Sequence, residues 1–202
     1  MKIPIRLIVM IAMLLFPVFI SPCAKAAPQL MLGENIEITN SPFIGAENSP
    51  ITIIAFIDYQ CPYCKQYELV IQQVVDKYAN KIKLIFKHFP LPFHEFAKNA
   101  ALASLAANDQ GKFWEFHVKL FENSPNLSNE VIQKIAKELR LDIDRFNNKM
   151  KSPEFKLLVK NDSLEGMRVG IIGTPTVYVN KKLLLDHSFI GLQKMIESEL
   201  KK

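Results

Sequence analysis

The sequence predicts an α/β fold: a strand–helix–strand unit, a helical block, then a strand–strand–helix unit, with the outer parts sharing one small mixed sheet. Three observations carry this. Ile51 to Ile57, bounded by Pro50 and Asp58, is a β-branched run apolar at nearly every position, as a strand buried on both faces requires. From Cys61 the apolar spacing becomes that of a helix, and Ile82 to Phe89 returns to strand character. Far downstream, Gly170-Ile171-Ile172-Gly173-Thr174-Pro175 breaks a long helical pattern just before Thr176-Val177-Tyr178-Val179, which reads as another strand.

The chain has 202 residues, 49% apolar and 22% charged, enough for one domain with a real core. Its start is set apart. Lys2 and Arg6 precede an apolar run from Leu7 to Ile20, interrupted by Pro17, and Ala24-Lys25-Ala26 supplies small residues two apart. That is the layout of a secretory signal peptide, residues 1–26. The alternatives are an uncleaved anchor, for which the run is short, and a lipid on Cys23, for which Pro22 is a poor neighbour. The chain has 25 basic residues; without Lys2, Arg6 and Lys25 the remaining 22 face 20 acids, a balance of +2. This balance, with no clustered basic patch, gives no case for nucleic acid. Cleavage also leaves Cys61 and Cys64 as the only cysteines. A chain with its own core does not need one close pair as a staple.

Residues 27–50 read as irregular, with turn signals at Asn40-Ser41-Pro42 and Asn48-Ser49-Pro50. After the first strand, Tyr67, Val70, Ile71, Val74, Val75 and Tyr78 form one helical stripe, with Asn80 as a stop. The strand over 82–89 then lies parallel to the first through a right-handed crossover. Residues 94–169 read as helical throughout, with helix caps at Ser128, Asp142 and Ser152, the last followed by Pro153. Trp114, with Phe113 and Phe116, packs this block or, alternatively, lines a groove for unfolded clients. Asn180-Lys181-Lys182 turns the chain into Leu183-Leu184-Leu185, and Gly191 to Leu200 forms a last helix with Leu192, Met195, Ile196 and Leu200 inward. The sheet domain is thus expected over 27–92 and 163–202, with 93–162 as a helical insertion.

Cys61-Pro62-Tyr63-Cys64 carries the chemistry. Cys61 falls where strand gives way to helix, and Pro62 suits the first helical position because the amide it lacks would be unpaired there. The helix end and its free N–H groups then favour a Cys61 thiolate, lowering its pKa. Cys64 lies one turn on, within reach of a disulfide. Cys61 is expected to be the exposed, attacking sulfur and Cys64 the deeper, resolving one, and a stabilised thiolate makes the disulfide oxidising. Two duller readings compete. Zinc would need His88 and His94 as further ligands, but the segment from Cys64 to His88 is longer than a finger pattern allows. A structural disulfide here would close too small a ring to constrain the unfolded chain much.

Cys-Pro-Tyr-Cys at a strand-to-helix junction, with Thr174-Pro175 before a late strand, resembles the thioredoxin superfamily. The leader and the helical block are similar to the DsbA-type branch of exported thiol–disulfide oxidoreductases. Phe86–His94, Gly111–His117 and Gly170–Asn180 are similar to recurrent segments there, and the likeness spans residues 42–200. The resemblance implies a thioredoxin fold, a cis Pro175 facing the sulfurs beside a strand that receives the client, and a Thr174 that tunes the redox poise, with Pro62 and Tyr63 completing the motif. It implies a periplasmic or otherwise extracytoplasmic monomer that oxidises client proteins and is reoxidised by a membrane quinone-linked thiol oxidase, with no metal or organic cofactor. Relatives often carry a glutamate six residues before the first cysteine; here that position is Ala55, and Asp58 or a water would take over. Thr174 leaves the direction of electron flow open. An isomerase or reductase using the same cysteines, a glutaredoxin, and a non-redox holdase are the alternatives. His88 is expected to be structural, and His94, His117 and His187 are given no role.

Overall fold

The computed structural model describes residues 36–202. The expected leader, residues 1–26, and Cys23 lie outside the described residues. In chain order the elements are β1 (Phe43–Gly45), β2 (Ile51–Ile57), α1 (Pro62–Tyr78), β3 (Ile82–His88), α2 (Ala97–Asn108), α3 (Phe113–Glu122), a 3-10 turn (Ser124–Asn126), α4 (Asn129–Glu138), α5 (Ile143–Lys151), α6 (Pro153–Arg168), β4 (Thr176–Val179), β5 (Lys182–Leu183) and α7 (Phe189–Glu199). Among the described residues no helix is long and apolar enough to cross a membrane.

The sheet runs β1-β3-β2-β4-β5. β2 and β3 are parallel, Ile51 opposite Ile82 and Ile57 opposite His88, while β4 is antiparallel to β2 with Val177 opposite Ala55. Because successive strand side chains alternate faces, β2 serves two clusters. Ile51, Ile53, Ala55 and Ile57 join the larger core with α1, α7 and the helical block, and Ile54 and Phe56 join a smaller one with Ile85, Phe89, Ile171 and Tyr178. Burial on both faces is why this strand reads as apolar almost throughout.

The caps fall where side-chain chemistry places them. Ser128, Asp142 and Ser152 accept hydrogen bonds from Val131 N, Arg145 N and Phe155 N at 3.2, 3.0 and 3.2 Å. α1 buries Tyr67, Ile71, Val74 and Tyr78, with Val70 and Val75 half-buried. α7 starts two residues before the expected Gly191, capped by Ser188, whose hydroxyl accepts from Gly191 N at 3.0 Å. α6 runs without a break across positions 162 and 163. Trp114 packs against Phe86, ring centroids 5.2 Å apart, and donates from Nε1 to Phe43 O at 3.3 Å, so it braces β1.

Two features depart from the expectation. Residues 43–45, read as irregular, form the edge strand β1 antiparallel to β3. Three residues carry too little alternation to announce a strand. The return strand β5 is only Lys182–Leu183, displaced toward the turn at Asn180-Lys181, both at positive φ. Lys87, in a strand interior, is buried and pinned by Asp162 at 2.6 Å, Glu165 at 3.0 Å and Glu37 O at 2.7 Å, tying α6 to β3.

Gly45 closes β1 at φ +97°, and a Cβ there would fall 2.2 Å from Ile82 O. That contact is backbone and cannot rotate away. Gly45→Ala is expected to lower unfolding stability by about 2–3 kcal/mol, read from urea midpoints at unchanged slope, through left-handed backbone strain plus overpacking.

Candidate active site

The end of β2 delivers Asp58, Tyr59 and Gln60 into a tight turn, and Cys61 follows as the N-cap of α1 at φ −72°, ψ 121°. Cys61 N donates to Asp58 O at 3.1 Å, and Lys65 N donates to Cys61 O at 3.1 Å, which starts the helix. Pro62 occupies the first turn, where no intrahelical donor is needed. Asp58 N points back at Cys64 Sγ, 3.5 Å away. Thr174-Pro175 is a cis peptide, and the Cys61 thiol donates to Thr174 O at 3.3 Å. The fold thus brings Cys61, Pro62, Tyr63, Cys64, Thr174 and Pro175, 113 positions apart at the contact, into one site.

The two thiols are chemically unlike. Cys61 is pulled down to about 5, first by the hydrogen bond from the Cys64 thiol, then by the Thr174 side-chain hydroxyl and the N–H groups of Cys64 and Tyr63, against an opposing effect of burial. The helix-end N–H groups contribute as the sequence suggests, but the neighbouring S–H contributes most. Cys64 is pushed far up, chiefly by burial and then by Cys61, and stays protonated. The expectation of an exposed Cys61 is corrected: it is 4% accessible, against 2% for Cys64. The cis-proline loop backs onto it, so the pair is told apart by the hydrogen bonds that lower Cys61 and the burial that raises Cys64.

This predicts a pH dependence with a definite sign. Cys61 titrates near 5 in the folded reduced protein and near its ordinary value of 9.0 when unfolded. A depressed acid stabilises the fold fully above the unfolded value and loses that contribution as pH falls through the folded one. The oxidised protein has no such group. Reduced-minus-oxidised unfolding stability should therefore drop by about 2–3 kcal/mol between pH 7 and pH 5. Thiolate absorbance near 240 nm should show half-titration near pH 5, and Cys64→Ala should raise that midpoint because it removes the S–H donor.

Asp58 is buried and fully engaged. Its carboxylate accepts from Gln60 N at 2.7 Å, Leu91 N at 2.7 Å and His94 Nδ1 at 2.8 Å. Ala55 lies in the larger apolar cluster with Cys64. His88 is buried, with burial pushing it down to about 3, so it is neutral; its Nε2 faces Ser104 Oγ at 3.4 Å. Among the described residues no cluster of three or more His, Cys, Asp or Glu forms a metal site. Beside the sulfurs a groove of about 370 Å³ is lined by Tyr63, Gln66, Tyr67, Val70, Pro175 and His187. Of its lining, the Tyr63 ring is exposed to solvent. Sequence reasoning missed Gln60, Glu68 and His117. Glu68 left one signal: an acid four positions after Cys64, on the buried side of α1.

A family model described as thioredoxin matches residues 37–198. The Na(+)/H(+) antiporter NhaA 1 of Salinispora arenicola is 33% identical over 137 residues, 67% of this chain and 21% of the antiporter, so the chain spans about a fifth of that relative's length. Disulfide bond formation protein D of Bacillus subtilis is 30% identical over 177 residues, 81% of this chain and 79% of the relative. Among solved structures, oxidised BdbD from Bacillus subtilis superposes with a TM-score of 0.73 at 28% identity, covering 82% of this chain and 96% of BdbD. The thiol–disulfide exchange protein alpha-DsbA2 from Wolbachia pipientis gives 0.73 at 28% identity, covering 79% of this chain and 87% of that one.

Proposed function

The chain belongs to the thioredoxin family and has its fold, and from that premise we propose that it is an exported thiol–disulfide oxidoreductase that introduces disulfides into client proteins. The observation that carries this reading is the asymmetry of the pair: Cys61 held near 5 beside a Cys64 held far above its ordinary value. A client thiolate attacks Cys61 Sγ of the oxidised pair. The Cys61–Cys64 bond breaks, Cys64 leaves and takes up a proton, and Cys61 is joined to the client. A second client thiolate attacks the client sulfur of this mixed disulfide, and Cys61 leaves as thiolate. Two client thiols are oxidised and the protein dithiol is formed.

A leaving Cys61 thiolate that is already stabilised favours the second step, and a favoured reduced form makes the disulfide a strong oxidant. Pro175 and the chain beside it receive the client segment as an added strand, and Thr174, touching Cys61, tunes the poise. Return to the disulfide needs an external acceptor, which we assign to a membrane quinone-linked thiol oxidase on the strength of the family resemblance. The sequence layout of residues 1–26 supports an extracytoplasmic location. We assign residues 93–162 as an insertion into the sheet domain, and a monomeric state.

Equilibration with glutathione redox buffers tests the direction. A potential near −120 mV supports the oxidase; one near −270 mV, about that of thioredoxin, overturns it in favour of a reductase.

A further inference from the structure

His117, on α3, is bonded at both ring nitrogens, and its two partners flank the cysteine pair. Tyr59 Oη lies 3.0 Å from Nδ1, and Glu68 Oε2 lies 3.0 Å from Nε2. Tyr59 precedes Cys61 by two residues, and Glu68 follows Cys64 by one helical turn. All three side chains are buried. Burial pushes the Tyr59 phenol up, so it keeps its proton and donates. The tautomer with Nδ1 as acceptor and the proton on Nε2, facing the carboxylate, satisfies both contacts. Glu68 Oε1 accepts from Gln72 Nε2 at 3.2 Å, which anchors the far end of the chain to α1. The ring itself is held by Phe86 and Phe113, at centroid distances of 4.5 and 5.6 Å.

A single side chain from the helical block therefore grips both the strand end entering the redox turn and the helix leaving it. We infer that His117 is a positioning residue for the Cys61–Cys64 pair, setting the thiolate character of Cys61 by clamping Tyr59 to Glu68 across the turn. The inference rests on the proposed function only in taking that pair as the redox centre; the direction of electron flow does not enter. His117 touches neither sulfur, so it acts through the turn. The interactions that lower Cys61 come from Cys64, from the Thr174 side chain and from N–H groups on the first helical turn, and hydrogen bonds weaken steeply once distance and angle drift. A turn free to drift would lose them first.

Tyr59→Phe removes one end of the clamp while leaving the ring and all charges in place. The expected result is a rise of at least half a pH unit in the Cys61 thiolate midpoint, read at 240 nm. The equilibrium with glutathione should move at least threefold toward the protein disulfide. Glu68→Met is the second variant: it removes the charge and also the acceptor for His117 Nε2, and its sign is informative. If Glu68 acted through charge alone, its loss would lower the midpoint; loss of the clamp raises it. Leu120→Ala, a core truncation on the same helix, should lower the melting temperature and leave the midpoint in place. The inference is overturned if Tyr59→Phe and Glu68→Met lower melting temperature but hold the midpoint within 0.2 of wild type, or if Glu68→Met lowers it. Should Tyr59→Phe fail to fold, Glu68→Met decides alone. A wild-type potential near that of thioredoxin would refute the oxidase and leave these shifts unaffected.

Discussion

Cys61→Ser is expected to reduce client oxidation to the uncatalysed rate while leaving the fold intact. The first half follows from chemistry. Cys61 Sγ is the atom the client attacks, and a serine oxygen forms no bond that thiol exchange can pass on. The second half follows from position. Cys61 is the N-cap of α1 and makes no side-chain capping bond, whereas serine is among the preferred N-caps. At pH 5, where most of the thiolate's contribution to the reduced fold is already lost, stability should differ from that of the reduced wild type by less than about 1 kcal/mol, so lost activity cannot be charged to unfolding. The measurement is disulfide formation in a reduced two-cysteine peptide mixed with stoichiometric oxidised protein, alongside urea unfolding of the variant. Cys64→Ala should behave differently: offered a one-cysteine peptide as its mixed disulfide with glutathione, the Cys61 thiolate attacks the peptide sulfur, that S–S bond breaks and glutathione leaves as thiolate, and the Cys61–peptide disulfide, with no second thiol to resolve it, accumulates and is visible by mass. Client maturation that continues undiminished with Cys61→Ser would sink the enzyme and favour the holdase.

What the sequence discloses and what it hides divide by the range of the interaction. β2 is legible because its burial on both faces writes an unbroken apolar run between Pro50 and Asp58. The caps at Ser128, Asp142 and Ser152 are legible because each bonds three residues on. Cys61 at the N-cap and Pro62 behind it are local for the same reason. Thr174-Pro175 becomes legible only through resemblance, since its partner is 113 positions away. Local pattern says nothing of which buried groups meet across the fold. Lys87 lies in a strand and finds its acids on α6. His117 has no neighbour in sequence that explains it, yet both nitrogens are bonded to residues around the active turn. The burial of Cys61 escapes for a related reason, because the loop that covers it arrives from the other end of the chain. β1 is hidden differently: three residues are too few to show alternation.

Asp58→Ala is expected to be the most destabilising single change at the site, at about 3–5 kcal/mol. Its carboxylate is buried and accepts from two backbone N–H groups and one imidazole. Alanine leaves Gln60 N and Leu91 N without an acceptor, along with the His94 ring that is only partly open to water. Those losses fall on the turn before Cys61 and on the loop leading to α2, so the variant should unfold at lower urea and expose the pair. Asp58→Asn keeps one carbonyl oxygen but turns an NH₂ toward an existing donor, and should fall between wild type and alanine. The two variants also bear on the vacancy at Ala55, where relatives often carry a carboxyl. If Asp58 only anchors the turn, loss of stability and loss of activity should scale together across Asn and Ala. If instead Asp58 moves the proton of Cys64, Asp58→Asn should slow client oxidation well beyond its loss of stability, with a changed pH profile. The three donors gathered on one carboxylate favour the anchor, so the expected result is proportional loss, with near-normal exchange in whatever fraction of Asp58→Asn remains folded.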